Sequence, residues 1–200
     1  MGIINVLDES VSNLIAAGEV VERPSSVIKE LVENSVDAGA KNITVEIKNG
    51  GISYIRVTDD GCGMEPDDVG VAFLRHATSK IKTQDDLSKI GTLGFRGEAL
   101  CSVAAVSKVV LTTKTATSKL ATKVFVSGGV MEDVLEAGAP NGTTIEVKTL
   151  FYNTPARMKF LKKDSTEAGY AKDVLEKFIL AHPEISFKFI SNGKVVFFSS

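Results

Sequence analysis

Hairpin signals interspersed with amphipathic helices most restrict the folds that this chain can adopt. Residues 42–57 alternate apolar with polar side chains on either side of Asn49-Gly50-Gly51, which is typical of an antiparallel hairpin. Comparable alternation beside glycine-containing turns predicts further strands at residues 108–113, 122–127 and 143–148 and a hairpin over residues 185–198. Because helices and antiparallel hairpins are mixed without strict strand-helix-strand order, we expect an α+β fold, a two-layer sandwich.

Helical periodicity is clearest between Pro24, a residue suited to a first helical turn, and Gly39. At about 100° per residue, one side of this helix is apolar and the other carries Glu30, Glu33, Asn34 and Asp37. Four more helices are predicted, over residues 12–22, over 66–76, from near Gly97 and over 166–181 with Val174, Leu175, Phe178 and Ile179 inward.

The composition allows one hydrophobic core and argues against several classes of partner. Two hundred residues with 44% hydrophobic content predict a single domain over residues 1–200. A net charge of −2 gives no field that would by itself hold DNA or an anionic membrane. No run approaches the roughly 20 apolar residues that cross a bilayer, so we expect no membrane partner.

The cysteines and histidines do not form a pattern that binds metal. Cys62 and Cys101 are too few and too far apart for a disulfide framework or a zinc cluster, which favours a reducing cytosolic or nuclear compartment. His76 and His182 have no ligand spacing between them.

Glu30 and Asn34 are the first of three elements that could hold a nucleotide, although the motifs GxxxxGK[ST] and GxGxxG are both missing. Four positions apart, they lie on the same helical face. A carboxylate can polarise a water, and an amide oxygen can ligate Mg²⁺ without adding charge. A solvated helix face also explains the pair, and helices with Glu and Asn on their exposed side are common, so the pair alone is a weak signal.

The second element is Asp59-Asp60-Gly61-Cys62-Gly63, at the end of a predicted strand. Its glycines allow the backbone to approach a ligand, and an Asp at a strand end can accept a hydrogen bond from an exocyclic amine such as that of adenine. A tight turn uses the same residue types, so this alternative stays open.

The third element is GTLGFRGEAL, residues 91–100, with three glycines ahead of a predicted helix. Uncovered N–H groups at a helix start bind phosphate, and Arg96 and Lys80 supply cations that can meet it. The alternative is a flexible connection without chemical importance.

Taken together, these elements resemble the GHKL ATPases, which include gyrase, heat-shock chaperones, histidine kinases and MutL. The amino-acid sequence of these stretches resembles the MutL family of DNA mismatch-repair proteins in particular. The stretches that carry this resemblance span most of residues 3–161: IAAGEVVERPSSVIKELVENSVDAGA, DDGCGM, RHATSKI, LGFRGEAL and FYNTPARMKFL.

The resemblance implies a fold of the GHKL type, with a mixed, mostly antiparallel sheet and helices on one face. It implies ATP and Mg²⁺ as ligands, Glu30 as general base and Asn34 as the magnesium ligand. Asp59 would recognise adenine, helped by Thr144, with Gly61 and Gly63 shaping the base pocket. The remaining residues implied for the lid and phosphate loop are Thr78, Ser79, Lys80, Gly94, Phe95, Arg96, Gly97, Glu98, Ala99 and Leu100. Glu33 and Asp37 lie at the flanks of this helix face, and they either support the residues that contact the nucleotide or are exposed to solvent.

The family's behaviour further implies a nucleotide switch, in which ATP orders residues 1–20 and 77–97 and pairs two N-terminal domains. The mismatch-recognition protein MutS would be a partner, DNA would be contacted through a longer parent protein, and the location would be cytoplasmic in a bacterium or nuclear in a eukaryote. The chain stops two residues after Phe197-Phe198, which suggests a fragment lacking the family's next domain and its phosphate-contacting lysine. We therefore expect weak turnover.

Three alternatives compete with an ATPase. A nucleotide-sensing binding module would show negligible catalysis, although it would not need Glu30 as a base. A histidine-kinase domain would transfer phosphate to a partner histidine, but the stretches FYNTPAR and GEVVERP argue against it. A purely structural α+β domain would require all the motifs to coincide by chance.

Overall fold

A computed structural model describes residues 5–6, 8–80, 93–94 and 97–199 of the chain. Within them the helices are, in chain order, α1 (Glu9–Val20), α2 (Pro24–Asp37), α3 (Pro66–Val71), α4 (Ala99–Ala105), α5 (Pro155–Met158) and α6 (Asp164–Ala181). The strands are β1 (Asn42–Lys48), β2 (Tyr54–Asp59), β3 (Lys108–Lys114), β4 (Ala121–Ser127), β5 (Val130–Ala137), β6 (Gly142–Lys148), β7 (Ser186–Ser191) and β8 (Lys194–Ser199).

One sheet contains all the strands of the described residues, in the order β5-β4-β3-β6-β2-β1-β7-β8. Every neighbouring pair is antiparallel except β1 and β7, which run parallel with Asn42 opposite Ser186. The prediction of a mixed, mostly antiparallel sheet is therefore confirmed. Strands β2 and β6 lie at its centre, so their ends are held by partners on both sides.

The helices cover one face of this sheet. Along β1 the buried residues Ile43, Val45 and Ile47 alternate with more exposed ones, because successive strand residues point to opposite faces. These buried side chains share a core with the apolar side of α2, including Val27 and Leu31. The expected two-layer α+β arrangement is confirmed, and it directs the opposite, polar side of α2 away from the core.

Helix α2 has bounds that its local sequence explains. Pro24 occupies the first turn, where its missing N–H costs no hydrogen bond. At the other end the N–H of Ala38 donates to the carbonyl of Asn34, and Gly39 takes a φ of 75°, which favours glycine. The first helix covers Glu9–Val20 rather than 12–22.

Besides α1, three elements differ from expectation. Strand β5 was not predicted, because it is exposed at nearly every position and does not alternate. Helix α3 ends at Val71 instead of continuing to residue 76; Gly70 weakens its last turn, and His76 has a φ of 61°. Helix α5 was also not predicted. In α6, Leu175 is buried as expected, whereas Val174, Phe178 and Ile179 are only partly buried. The other deeply buried side chains of this helix are Glu167 and Ala171.

Candidate functional site

A cavity lies between the polar side of α2 and the adjoining ends of β2 and β6. Its wall combines apolar side chains with a few polar groups, as is typical of ligand sites. The lining residues are Leu31, Asn34, Ser35, Ala38, Val57, Asp59, Gly63, Met64, Leu100, Thr143 and Ile145. Asn34, Asp59, Gly63 and Leu100, all predicted from the sequence, thus meet at one place.

Asp59 is held in the cavity wall by three donors. The hydroxyl of Ser35 donates to Oδ2 at 2.7 Å, and the N–H groups of Gly61 and Thr143 donate to Oδ1 at 2.9 and 3.3 Å. Burial raises the pKa of the Asp59 carboxyl above its ordinary value of 3.8, and these hydrogen bonds offset part of that rise. The fixed carboxylate leaves lone pairs on Oδ2 that can accept a hydrogen bond from an amine in the cavity.

Asp60 is the next residue, but it points away from the cavity and has a different role. Its Oδ1 accepts from the N–H groups of Lys41 and Asn42 at 2.7 and 2.8 Å. The small burial of this side chain acts to raise the pKa of Asp60, but the hydrogen bonds from Asn42 and Lys41 outweigh it, and the pKa is lowered. Asp60 therefore fastens the start of β1 to the end of β2.

Two glycines are required by the close approach of backbone around Asp59. Gly63 has a φ of 72°, and a Cβ there would lie 2.2 Å from the carbonyl oxygen of Lys114. Gly142 has a φ of 113°, and a Cβ there would lie 2.1 Å from the carbonyl oxygen of Asp59 itself. Both positions exclude larger residues, so the glycines set the shape of this end of the site.

The prediction that Thr144 helps Asp59 is wrong in its geometry. The Thr144 hydroxyl donates to that of Thr58 at 3.2 Å, on the sheet face opposite the helices. Thr143 lines the cavity instead, and its hydroxyl lies 3.0 Å from that of Thr113. Neighbouring strand residues point to opposite faces of the sheet, so predicting Thr144 instead of Thr143 selects the face that does not line the cavity.

At the other end of the cavity, Asn34 and Asp37 meet Lys80. The Lys80 ammonium donates to Asn34 Oδ1 at 3.0 Å and to Asp37 Oδ2 at 2.5 Å. The N–H groups of Leu93 and Gly94 also donate to the Asp37 carboxylate, each at 3.1 Å. The sequence left open whether Asp37 is a supporting group or a solvated one, and these contacts make it a supporting group.

Glu30 and Glu33 both pair with Lys29 on the same helix. The Lys29 ammonium lies 3.3 Å from Glu30 Oε1 and 2.8 Å from Glu33 Oε1. Glu33 is buried, whereas the Glu30 side chain is about a quarter exposed. Glu30 is not part of the cavity wall, although it lies one helical turn from Asn34 on the same face.

The remaining predicted residues are brought near the cavity to different degrees. Thr78 accepts a hydrogen bond from the N–H of Lys80, and Ser79 is exposed. Glu98 lies 3.3 Å from His76 Nδ1, Gly97 has a φ of 64°, and Ala99 begins the helix that carries Leu100. Phe95 and Arg96 lie outside the described residues, as do residues 1–4, 7 and 81–92 of the segments expected to order.

Ser35, Ala38 and Met64 are cavity residues that sequence reasoning missed. Ser35 had a usable signal, since serine is a poor choice for a helix interior unless its hydroxyl has a partner.

Across the described ranges, no group of three or more His, Cys, Asp or Glu side chains could hold a metal ion. Magnesium bound to phosphate needs fewer protein ligands, and the Asn34 oxygen fits that donor chemistry. None of the described helices is long and apolar enough to cross a membrane.

Comparison with known proteins gives a consistent family. Residues 22–147 match the family described as histidine kinase-, DNA gyrase B-, and HSP90-like ATPase. DNA mismatch repair protein MutL of Caldanaerobacter subterraneus subsp. tengcongensis is 58% identical over all 200 residues, which cover 34% of that protein. MutL of Clostridium tetani is 54% identical over 193 residues, 96% of this chain and 31% of the relative. The chain thus spans about a third of the length of these curated relatives.

Solved structures show the same likeness in three dimensions. The Aquifex aeolicus MutL ATPase domain complexed with ADP is similar with a TM-score of 0.74 and 34% identity, covering 90% of this chain and 65% of that one. The N-terminal domain of a DNA repair protein is similar with a TM-score of 0.78 and 28% identity, covering 94% and 56%. The resemblance to MutL is confirmed by sequence and by fold.

Proposed function

Because the chain belongs to the histidine kinase-, DNA gyrase B- and HSP90-like ATPase family, we propose that residues 1–200 form a magnesium-dependent ATP-binding and hydrolysing domain of a MutL-type DNA mismatch-repair protein. The observation that carries the proposal is the Asp59 carboxylate, fixed by Ser35, Gly61 and Thr143 in the wall of a largely apolar cavity. The relative solved with ADP supports a nucleotide as the occupant.

The base would enter between the apolar wall residues and meet Asp59. Oδ1 is already used by two backbone N–H groups, whereas Oδ2 accepts only from Ser35 among the contacts described. Oδ2 is therefore the atom that accepts a hydrogen bond from the exocyclic amine of adenine. Guanine presents a carbonyl oxygen at the equivalent position and would face a carboxylate without a proton, which disfavours it.

The phosphates would lie toward Asn34 and Lys80. Magnesium, when bound, neutralises charge on the triphosphate, and the Asn34 amide oxygen is the protein atom that would hold it. Glu30, one turn away on the same helical face, accepts the proton of the attacking water as general base. Lys80 and the N–H groups of residues 97–100, at the start of α4, meet the phosphate oxygens.

In the longer parent protein this site acts as a switch for assembly. ATP binds the closed form better than the open form, so it orders the N-terminal segment and pairs two copies of the domain. MutS and DNA are partners of that whole protein, supported by the mismatch-repair name that the relatives carry. The relatives reported above are bacterial, which supports a cytoplasmic, nucleoid-associated location.

Asp59→Asn tests the adenine assignment directly. The Asn amide can donate to the Ser35 hydroxyl while that hydroxyl donates to the Leu31 carbonyl, which is already 3.2 Å away. The variant therefore keeps its packing and loses only the acceptor for adenine. We expect ATP affinity, measured by calorimetry with magnesium, to fall about 100-fold.

Asp60→Asn is the matched control, since it changes the adjacent carboxyl outside the cavity, and its ATP affinity stays near that of the wild type. Equal affinities of Asp59→Asn and wild type for ATP contradict the assignment. In the full-length parent, Glu30→Ala retains ATP binding but loses single-turnover hydrolysis. Unchanged hydrolysis removes Glu30 as the base.

The alternative is a nucleotide-sensing module with negligible catalysis. Its supporting observation is that Glu30 lies outside the cavity wall and is paired with Lys29. Multiple turnovers above background by the wild type, abolished by Glu30→Ala, exclude this alternative. Nucleotide-dependent pairing without any turnover in the full-length parent favours it.

A further inference from the structure

The phosphate end of the cavity is the end near Asn34 and Lys80, where the phosphates are proposed to lie. Several hydrogen-bond donors at this end share one acceptor, the carboxylate of Asp37. Its side chain is only 9% exposed, although it is the last residue of α2. One carboxylate oxygen accepts from Lys80 Nζ and Gly94 N, and the other accepts from Leu93 N. These donors come from both sides of residues 81–92, so one side chain connects two separate stretches of the chain.

The Lys80 ammonium is shared between Asp37 and Asn34. It donates to Asn34 Oδ1 at 3.0 Å, which is the oxygen proposed to hold magnesium. A divalent ion on that oxygen repels an ammonium at hydrogen-bond distance, so the two cannot occupy adjacent positions at little cost. The Asp37 contact has no such conflict, because Asp37 is not a proposed metal ligand.

We propose that Asp37 is a positioning residue for the phosphate site, and this inference rests on the proposed function. Its carboxylate holds the Lys80 ammonium and the N–H groups of Leu93 and Gly94 together beside Asn34. When magnesium and nucleotide bind, Lys80 leaves Asn34 Oδ1 and turns to the phosphates while it remains bonded to Asp37. The lysine thus pivots on one carboxylate instead of being recruited from solvent.

Holding Lys80 in place before the ligand binds reduces the side-chain entropy lost on binding. A free lysine populates many rotamers and loses that freedom when it binds phosphate. Lys80 has already lost much of it in its contact with Asp37, where its side chain is 17% exposed. Fixing the donors beforehand favours ligands that carry phosphates and has no effect on the base, which binds near Asp59.

Asp37→Asn separates this role from a general structural one. Wild type and variant are titrated with adenosine, ADP with magnesium, and non-hydrolysable ATP with magnesium. We expect triphosphate affinity to fall about tenfold and adenosine affinity to change less than about twofold, because only the phosphate donors are released. The fall for ADP lies between these values.

Glu33→Gln is the matched control. It also removes a carboxylate of α2 that pairs with a lysine, but that lysine is Lys29, away from Lys80. Its affinities for all three ligands stay within about twofold of those of the wild type. If Asp37→Asn does not fold, Asp37→Glu carries the same test, since it moves the carboxylate by one methylene and keeps its charge.

A double-mutant cycle with Lys80→Met completes the test. Because both residues act on the same contact, the loss of triphosphate affinity in Asp37→Asn/Lys80→Met is smaller than the product of the two single losses. A full product overturns the proposal, and so does an equal loss of adenosine and triphosphate binding by Asp37→Asn. A wild type that binds none of the three ligands overturns the proposed function instead.

Discussion

The two ends of the cavity are built by different means. At the base end, Asp59 is the last residue of β2, and it is held by Ser35 of α2, by Thr143 of the neighbouring central strand β6 and by Gly61 of the turn that follows. At the phosphate end, Asp37 holds Lys80 and Gly94, neither of which belongs to a helix or strand of the described chain. Secondary structure thus fixes one half of the site, whereas single side-chain contacts hold the other half.

This difference sets what each end can do. Residues in a sheet and a packed helix move little, so the base end can be selective before any ligand arrives. Contacts between a side chain and a loop can be exchanged one at a time, so the phosphate end can respond to the ligand. Selection of the base and response to the phosphates are consequently assigned to separate parts of one cavity.

The largest effect is expected from alanine at Gly142, at the base end, and it is compared with alanine at Gly94, at the phosphate end. Gly142→Ala places a Cβ 2.1 Å from the Asp59 carbonyl at a φ of 113°, so we expect a loss of about 3 kcal/mol of unfolding free energy. Gly94→Ala places its Cβ 3.1 Å from the movable end of Lys80, and the loss stays below about 1 kcal/mol. Urea denaturation of both variants measures the difference, and equal losses contradict the contrast between the ends.

A smaller effect is expected from Ser35→Ala, which removes the hydroxyl that donates to Asp59 Oδ2. The carboxylate then loses an orienting hydrogen bond in a buried place, so adenosine affinity falls about tenfold. Ser26→Ala on the same helix serves as the control. Unchanged adenosine binding by Ser35→Ala indicates that the base end is not held through this contact.

The pH dependence of stability should distinguish Asp59 from its neighbour Asp60. Burial raises the pKa of Asp59, so its contribution to stability is full below the unfolded value of 3.8 and is lost as pH rises through the folded pKa. Asp59→Asn lacks this titration, and its stability relative to wild type increases over that interval. Denaturation at a series of pH values measures the trend, and a relative decrease contradicts it.

For Asp60 the sign is reversed. Burial acts to raise the pKa of Asp60, but hydrogen bonds from Asn42 and Lys41 lower it overall, so its contribution is present above 3.8 and is lost as pH falls through the folded pKa. Asp60→Ala should therefore lose stability relative to wild type toward neutral pH. The two variants are measured side by side under the same conditions.

The smallest effect is expected from Thr144→Val, whose hydroxyl lies on the sheet face away from the cavity. Nucleotide affinity should stay within about twofold of wild type. Thr143→Val removes a hydroxyl from the cavity wall and weakens binding several-fold, by about 1 kcal/mol. A larger effect of Thr144→Val than of Thr143→Val reverses the assignment.

Local patterns were sufficient to predict most of the fold and the position of Asp59 at the base end. The hairpin of β1 and β2, helix α2 and the strand-end position of Asp59 all follow from signals within a few residues. Local patterns did not show which of Thr143 and Thr144 faces the cavity. That depends on the register between β2 and β6, in which Asp59 lies opposite Thr143. Strand β5 was missed because an exposed edge strand needs no alternation of burial.

The phosphate end was less predictable for a physical reason. The contacts of Asp37 with Lys80 and Gly94 join residues more than 40 positions apart in the sequence, and no periodicity records them. The resemblance to MutL supplied Lys80 and Gly94 as residues, but not the carboxylate between them. Asp37 could be recognised only once its buried position and its three donors were known.

The parallel pairing of β1 with β7 has a consequence for how the chain is made. Asn42 and Ser186 lie about 140 positions apart, so a ribosome must release nearly all of these residues before the two strands can meet. Until then, β1 presents an unpaired edge to every other nascent chain in its surroundings. Such long-range closure is slow, so the exposed edge of β1 is a site of aggregation during that interval.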